Sequence, residues 1–203
     1  MQKHIALGIA VIAALAVVIL MFTSLVPWGA NDRPVAPPTV MSPAQPQGTK
    51  HYEAPEAGLS FDYPARYMVW EDEVGTAQRG HYRIDLVEDT QENRNLRAGL
   101  SPGREGPISI SFDVFQNDLD KTEILDWVKG NANSNFKLGD GTYEETTLAG
   151  VPAIFYRHSG LYEANAFVFA HKDNIIKATV TYFSPEDPII EDFSSVLSTL
   201  ELY

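Results

Sequence analysis

Two of the histidines lie on neighbouring predicted strands, where imidazole groups could bind a metal ion. A turn centred near Tyr162 would join these strands as a hairpin. In that register His158 faces about Phe167 and His171 faces about Ile154, so strand periodicity predicts both imidazoles on one face. Four residues along a strand cover about 13 Å, whereas two ligands of one zinc ion each lie about 2 Å from it. Each histidine is therefore expected to make an ordinary hydrogen bond near a strand end.

Acidic side chains cluster at two predicted strand ends and could bind calcium. The segments "EDE" (71–73) and "ED" (88–89) would supply carboxylate oxygens if these ends came together. A solvated acidic edge is the simpler interpretation, because runs of charge usually face water.

A third oxygen-rich pattern precedes the first predicted helix. Asp118, Asp120 and Thr122 alternate like the first ligands of an EF-hand, but Glu123 stands where that loop requires glycine. Asp120 followed three residues later by Glu123 is instead typical of a capping box. The sequence therefore predicts a helix capped by Asp120.

Catalytic motifs are missing from the sequence. Ser159 precedes Gly160 but lacks the G-x-S-x-G elbow, and the chain contains no phosphate loop and no G-x-G-x-x-G. The chain has 0 cysteines, which excludes disulfides, thiolate metal sites and a catalytic thiol. We therefore predict no catalytic residue, no bound cofactor and no metal ligand.

The charge of the chain disfavours nucleic acid as a partner. The formal net charge is -12, and the basic side chains in the first 50 residues leave an even more acidic remainder. An acidic surface without a cluster of Lys and Arg would repel phosphate backbones.

The N-terminal segment is apolar enough to cross a membrane. Residues 5–26 carry no charge and approach the roughly 20 apolar residues that a spanning helix needs. A cleavable signal peptide is the alternative, but the small residue best placed for cleavage, Ala30, has Trp28 two positions before it. We predict a retained transmembrane anchor, with residues 1–4 in the cytoplasm and the rest of the chain extracytoplasmic.

A proline-rich stretch follows the predicted anchor. Residues 27–55 are rich in proline, carry few charges and show no periodicity, which predicts an extended linker. A proline-rich ligand for a recognition domain is the alternative. His51 would lie in this linker, and His4 would precede the anchor.

Residues 56–203 show the patterns of one folded domain. Alternating apolar residues on both sides of Pro64 predict two strands, and His81 begins a third. A mid-chain helix, a meander of strands and a final helix follow, the last with an apolar stripe at helical spacing. We predict an α+β sandwich in which helices pack on an antiparallel sheet. The predicted strands after Pro64 include 81–89, 107–116, 142–149, 152–159, 165–172 and 175–183, and the apolar stripe consists of Ile189, Ile190, Phe193, Val196, Leu197 and Leu200.

Aromatic residues in the predicted hairpin could form either the core or a binding surface. Tyr156, Phe167 and Phe169 alternate at strand spacing and are assigned to the core. Tyr162 lies in the turn and is the better candidate for an exposed interface residue.

Several of these segments together resemble the PsbP-like domain. They are the opening "GLSFDYP" (58–64), the segment "LAGVPAIFYRH" (148–158) and the closing "FSSVLSTL" (193–200), and the resemblance extends over residues 56–203. That superfamily includes extrinsic photosystem II subunits, Ran-binding import factors and bacterial envelope proteins. The resemblance implies a PsbP-like fold and work in binding or assembly, and it carries over no site residue.

These patterns together predict a non-catalytic, membrane-tethered extracytoplasmic module that binds a protein partner in a membrane or envelope complex. The alternative is an envelope enzyme or a metal- or calcium-binding protein whose site is assembled from scattered residues.

Overall fold

The computed structural model describes residues 48–75, 80–117 and 120–203. The predicted cytoplasmic residues 1–4 and the predicted anchor 5–26 lie outside this part of the chain, as does most of the predicted linker. Within the described residues, no helix combines the length and the apolar character that crossing a membrane requires.

The described residues form mostly strands, with helices between or after runs of strands. Short 3-10 turns at Ala132–Ser134 and Phe136–Leu138 follow the second helix. In chain order the elements are β1 (Thr49–Ala54), β2 (Leu59–Pro64), β3 (Tyr67–Glu73), β4 (His81–Glu88), α1 (Gln91–Arg97), β5 (Ile110–Gln116), α2 (Ile124–Gly130), β6 (Glu144–Leu148), β7 (Val151–Ser159), β8 (Glu163–His171), β9 (Asn174–Tyr182), α3 (Ile189–Ser198) and β10 (Glu201–Leu202).

The domain begins earlier than the sequence patterns predict. Strand β1 lies inside the predicted linker 27–55, and it pairs antiparallel with β2 in a three-stranded sheet of order β1-β2-β10. The Tyr52 ring packs on Phe61 at a centroid distance of 5.3 Å, which anchors β1 to the core. The prolines around this segment hid its strand character, so His51 lies on a strand and not in a linker.

The other strands of the described residues form an antiparallel sheet of order β3-β4-β5-β9-β8-β7-β6. Its first face packs against the three-stranded sheet and α3, where the Phe61 and Phe112 rings stack at 4.6 Å. Its second face is covered in part by α2 and the 3-10 turns, where Trp127 and Val128 pack near Tyr156. Antiparallel strands with helices on both faces confirm the predicted α+β class.

The final helix is confirmed by its buried stripe. Phe193 and Val196 are buried against the first face, and Leu197 is half-buried. The helix begins at Ile189, whose amide donates to Asp187 Oδ1 at 3.2 Å. On the same helix, Asp192 accepts a hydrogen bond from the Tyr67 hydroxyl at 2.6 Å.

The capping box predicted for the mid-chain helix is wrong. The helix begins at Ile124, so Glu123 and not Asp120 occupies the N-cap position, and the Glu123 side chain makes no capping hydrogen bond. The Asn117 side chain organises the preceding turn instead, because it accepts from the Thr122 amide at 3.0 Å and donates to the Thr122 carbonyl at 3.1 Å.

Helix α1 lies within residues 90–106, a segment without an apolar stripe for which the sequence predicts a long polar loop, so that prediction is wrong for Gln91–Arg97. Thr90 caps the helix by accepting from the Asn93 amide at 3.1 Å, and no residue of the helix is buried. Arg97 anchors the helix to β3 through Asp72, with an Nη1 to Oδ2 distance of 2.8 Å. Polar contacts therefore hold this helix, which explains why hydrophobic periodicity does not reveal it.

The register of the β7–β8 hairpin differs from the predicted one. His158 lies opposite Ala164, and His171 lies opposite Asn174 on β9. The turn is tight, since the Gly160 amide donates to the Tyr162 carbonyl at 3.0 Å. Because successive side chains alternate between faces, the two imidazoles lie on opposite faces of the sheet, and the predicted shared face is wrong.

Candidate functional site

A polar groove crosses the part of the second face that α2 leaves open. Trp70 lies opposite Asp85, Asp85 opposite Ser111, and Ser111 opposite Thr179, so these four side chains form a row across β3, β4, β5 and β9. The groove has a volume of about 290 Å³. We call it the polar groove and define it by six of its lining residues, Trp70, Asp85, Ser111, Asp113, His158 and Thr179.

A buried charged row runs beside the first one. Asp113 is 1% exposed and accepts hydrogen bonds at Oδ1 from His81 Nε2 and Arg83 Nε, both at 2.8 Å. Lys177 Nζ lies 3.4 Å from Asp113 Oδ2 and donates to the Asn133 carbonyl at 2.8 Å. These contacts hold a carboxylate and an ammonium inside the sheet.

The pKa shifts of this pair have opposing causes. Burial alone would raise the pKa of Asp113, but the hydrogen bond from His81 and the charges of Lys177 and Arg83 lower it below its ordinary value. Burial lowers the pKa of Lys177, against the attraction of Asp113. Asp113 is therefore ionised, and its charge is shared among three basic groups.

Buried polar atoms without hydrogen-bond partners are concentrated in the polar groove. Throughout the described ranges, such side-chain atoms are Trp70 Nε1, Asp113 Oδ2, both His158 nitrogens and Thr179 Oγ1. Of these, Asp113 Oδ2 still has the charge of Lys177 near it. A buried polar group without a partner is costly, so their convergence on one groove marks a site that water or a ligand completes.

His158 is the most unusual of these groups. It is 8% exposed, and burial together with the Lys177 charge lowers its pKa to about 4. Its imidazole is therefore neutral at pH 7, with one nitrogen that donates and one that accepts. The prediction of an ordinary hydrogen bond is wrong for His158. It is confirmed for His171, whose Nε2 lies 3.2 Å from the Tyr203 carbonyl.

The serines of the groove bond to a carboxylate and not to a histidine. Ser111 Oγ donates to Asp85 Oδ1 at 2.5 Å, and Ser109 Oγ lies 3.2 Å from Ser111 Oγ. Burial raises the pKa of Asp85, although the Ser111 hydrogen bond opposes the shift. Since His158 hydrogen-bonds to neither serine, the groove offers hydrogen-bonding groups to a ligand but not the nucleophile and base pair of an acyl-transfer site.

An exposed apolar surface borders the groove at the end of the β7–β8 hairpin. Leu161 is 62% exposed and Phe183 is 71% exposed. The Tyr162 ring meets Phe183 edge-on at 5.2 Å, while its hydroxyl donates to the Gly106 carbonyl at 2.7 Å. We call Leu161, Tyr162 and Phe183 the aromatic rim.

The aromatic residues that the sequence assigns to the core are buried or half-buried. Tyr156 and Phe169 are buried, and Phe167 is half-buried against the core, which confirms the core assignment. Tyr162 is half-buried because its hydroxyl is tied to Gly106, so its neighbours Leu161 and Phe183 are the more exposed members of the rim.

The two acidic strand ends do not meet. Glu71 lies opposite Ile84, whereas Glu88 lies opposite Tyr67, so about 13 Å of strand separates the two clusters. Arg97 and Arg94 bind neighbouring carboxylates in these clusters, at Asp72 and Asp89 respectively. Over the residues that the structure describes, no group of three or more His, Cys, Asp and Glu is arranged to hold a metal ion.

The remaining candidate residues are dispersed. His51 Nδ1 lies 2.7 Å from Asp62 Oδ1 on the neighbouring strand, and Ser159 Oγ donates to Glu163 Oε1 at 2.8 Å. Asp118 and His4 lie outside the described residues.

Sequence patterns missed the charged centre of the groove. Asp113 and Lys177 each interrupt a strand that is otherwise mostly apolar, "ISFDVFQ" and "NIIKATVTY". A single charge inside a buried strand is expected to have a partner. That signal was present, but only the pairing of β5 with β9 shows that the two residues face each other.

Comparison with known proteins supports the fold. The sequence matches no protein-family model and no curated protein. Among solved structures, the chain is similar to cyanobacterial PsbP (CyanoP) from Synechocystis sp. PCC 6803, with a TM-score of 0.50 and 11% sequence identity over 80% of this chain and 96% of that chain. At this identity the similarity shows a PsbP-like α+β fold alone.

Proposed function

We propose that this protein is a non-catalytic, membrane-tethered extracytoplasmic module that binds a protein subunit of a membrane or envelope complex. The observation that carries the proposal is the aromatic rim, where Leu161 and Phe183 remain largely exposed on an otherwise folded domain. Exposed aromatic and aliphatic side chains are favoured anchors of protein interfaces. The PsbP-like fold supports the same role through the binding and assembly work found in that superfamily.

The charge around the rim specifies the chemistry of the partner. Glu105, Glu163 and Glu186 are exposed and lie close in sequence to residues of the rim or to Gly106, which the rim contacts. The net charge of -12 adds a wider negative field. The complementary surface therefore presents an apolar side chain surrounded by Lys and Arg, and electrostatic attraction would speed its association.

Tethering would let a modest affinity suffice. An anchor at residues 5–26 and a linker of about 20 further residues would confine the domain near the membrane, which raises its effective concentration for a membrane-bound partner. In this proposal the anchor sets location and the rim sets specificity.

The test is site-specific photo-crosslinking of the full-length protein in its native membrane. A photoreactive amino acid at Phe183 is compared with the same residue at Thr147, which is exposed on β6 and lies opposite Pro152, far from the rim along β7. We expect one discrete adduct with a different protein from position 183 and none from position 147. The yield should fall as salt rises, because salt screens the acidic surround.

Two outcomes would contradict this function. One is equal crosslinking at both positions, which would indicate random contact in the membrane. The other is a position-183 adduct that contains only lipid or a second copy of this chain, because neither is the basic protein partner proposed here.

A further inference from the structure

The polar groove is built for an occupant that its own residues do not supply. His158 is 8% exposed and Thr179 is 7% exposed, yet neither side chain has a hydrogen-bond partner. Replacing such groups by apolar ones would cost the fold little, because they stabilise nothing while unpaired. Their presence in one groove therefore points to a ligand that pairs with them.

The hydrogen-bonding inventory defines the ligand's functional groups. Trp70 Nε1 can only donate, the Thr179 hydroxyl can donate and accept, and the neutral His158 offers one donor and one acceptor. Asp85 adds an acceptor at the floor of the groove beside Ser111. Hydroxyl groups meet this mixed demand, because each one donates and accepts at the same atom.

The charge inventory excludes a strongly charged ligand. The carboxylates of Asp85 and Asp113 are matched by the basic groups of Arg83 and Lys177, all of which line the groove. An anion or a cation would therefore meet a like charge beside each opposite one. A neutral ligand has no such repulsion.

The dimensions of the groove favour a small, elongated ligand. Three steps between adjacent strands separate Trp70 from Thr179, or about 14 Å. The volume of about 290 Å³ lies at the small end of ligand sites. An indole and hydroxyl groups in such a groove suit the hydroxyls of a sugar ring.

We propose that the polar groove binds an uncharged carbohydrate, as a free mono- or disaccharide or as the terminal sugars of an envelope glycan. Trp70 Nε1 and Thr179 Oγ1 hydrogen-bond sugar hydroxyls, and His158 bonds a further hydroxyl deeper in the groove. Leu161 and Tyr162 of the aromatic rim also line the groove, whereas Phe183 does not, so the two sites are distinguished by probes at Phe183 and at Trp70 or Thr179.

The experiment is NMR titration of the full-length protein in a detergent without a sugar headgroup. The probes are glucose, galactose, N-acetylglucosamine, maltose and a soluble peptidoglycan fragment, with sodium acetate and tetra-alanine as non-carbohydrate controls. We expect a sugar to shift the indole N–H signal of Trp70, identified by its loss in Trp70→Phe, while the signals of Trp28 and Trp127 stay in place. If the peptidoglycan fragment shifts the Trp70 signal and no simple sugar does, the ligand is the terminal part of an envelope glycan and not a free sugar.

Thr179→Val is the decisive variant, and Thr147→Val is its matched control on β6. Thr179→Val removes a hydroxyl without a partner, so the fold should be at least as stable, whereas the Kd for the sugar should rise about tenfold. Thr147→Val should leave the Kd unchanged.

Three results would overturn the carbohydrate site. The first is that no sugar probe shifts the Trp70 signal, which would mean that the groove holds water alone. The second is a shift with acetate or tetra-alanine in place of sugar. The third is an unchanged Kd for the sugar in Thr179→Val. None of them bears on crosslinking at Phe183, so this inference and the proposed function fail separately.

Discussion

Lys177 Nζ lies 3.4 Å from Asp113 Oδ2 across the β5–β9 pair, and both side chains are almost completely buried in the sheet. The pair joins two central strands, and Arg83 and His81 extend it to β4. An interior carboxylate keeps its charge only when such partners replace water. Part of the lining of the groove is therefore a buried ion pair and not an apolar layer.

Removing the charge of Asp113 should destabilise the domain strongly. Asp113→Asn keeps the shape but leaves the buried Lys177 without its counter-charge, so we expect a loss of about 3–5 kcal/mol in the free energy of unfolding. Urea denaturation measures this loss. The matched control is Asp89→Asn, whose carboxylate pairs with Arg94 at the surface and should cost about 0–1 kcal/mol. Equal losses in the two variants would show that the buried Asp113–Lys177 pair stabilises the fold no more than the surface Asp89–Arg94 pair does.

Acid should destabilise the fold through His158. Its pKa is about 4 in the folded state and ordinarily 6.5, so the unfolded chain binds more protons between these values. The free energy of unfolding therefore falls as the pH drops from 6.5 towards 4. Denaturation of His158→Leu across this range should show a shallower fall than that of the wild type.

His51 provides a control of opposite sign. Its hydrogen bond to Asp62 raises its pKa in the folded state, so its stabilising effect is present at low pH and is lost as the pH rises through the raised pKa. This effect lies above pH 6.5, because below that value His51 is protonated in the folded and the unfolded chain alike. His51→Leu should therefore remove a loss of stability as the pH rises above 6.5 and leave the fall between pH 6.5 and 4 as in the wild type. A change of that acid-side fall in His51→Leu as large as the change in His158→Leu would contradict these assignments.

The final helix should depend on one aromatic side chain. Phe193 is 3% exposed and its ring lies 6.1 Å from Phe167, so Phe193→Ala should cost about 3–5 kcal/mol by leaving a cavity. Leu197→Ala should cost less because Leu197 is half-buried. Ser195→Ala, on the exposed side of the same helix, should stay within about 0.5 kcal/mol of the wild type. A loss from Phe193→Ala no larger than that from Ser195→Ala would contradict the packing.

The mature protein should retain its N-terminal segment. Residues 5–26 are long and apolar, and Trp28 spoils the cleavage site that would end at Ala30. N-terminal sequencing of the protein extracted from its native membrane should therefore begin at or near Met1. A first residue near Asn31 would identify a cleaved signal peptide instead.

Sequence periodicity predicted the elements that bury apolar stripes, and it failed where other forces decide. The final helix and the strands of the meander were recognised because Phe193 and its neighbours follow simple periods. Helix α1 was missed because Arg94 and Arg97 hold it by charge, and β1 was missed because prolines flank it. The hairpin register shifted because the length of its turn at Gly160 cannot be read from composition.

The candidate site was less predictable than the fold. Trp70, Asp113 and Thr179 come from three different strands, and only strand order brings them to one groove. The prediction that His158 and His171 share one face was wrong because it depended on the assumed register of the hairpin. The observed register places the two imidazoles on opposite faces of the sheet. The site is formed by the pairing of strands that are distant in the sequence, so local sequence patterns do not predict it.

The most direct test of the binding role is the affinity of the crosslinked partner for a rim variant of the full-length protein. Leu161→Ser combined with Phe183→Ser removes two exposed apolar side chains, so the domain should stay folded while the Kd rises about tenfold or more. Thr147→Val should leave the Kd unchanged. An unchanged Kd in the folded rim variant would contradict the claim that this protein acts by binding a partner at its aromatic rim.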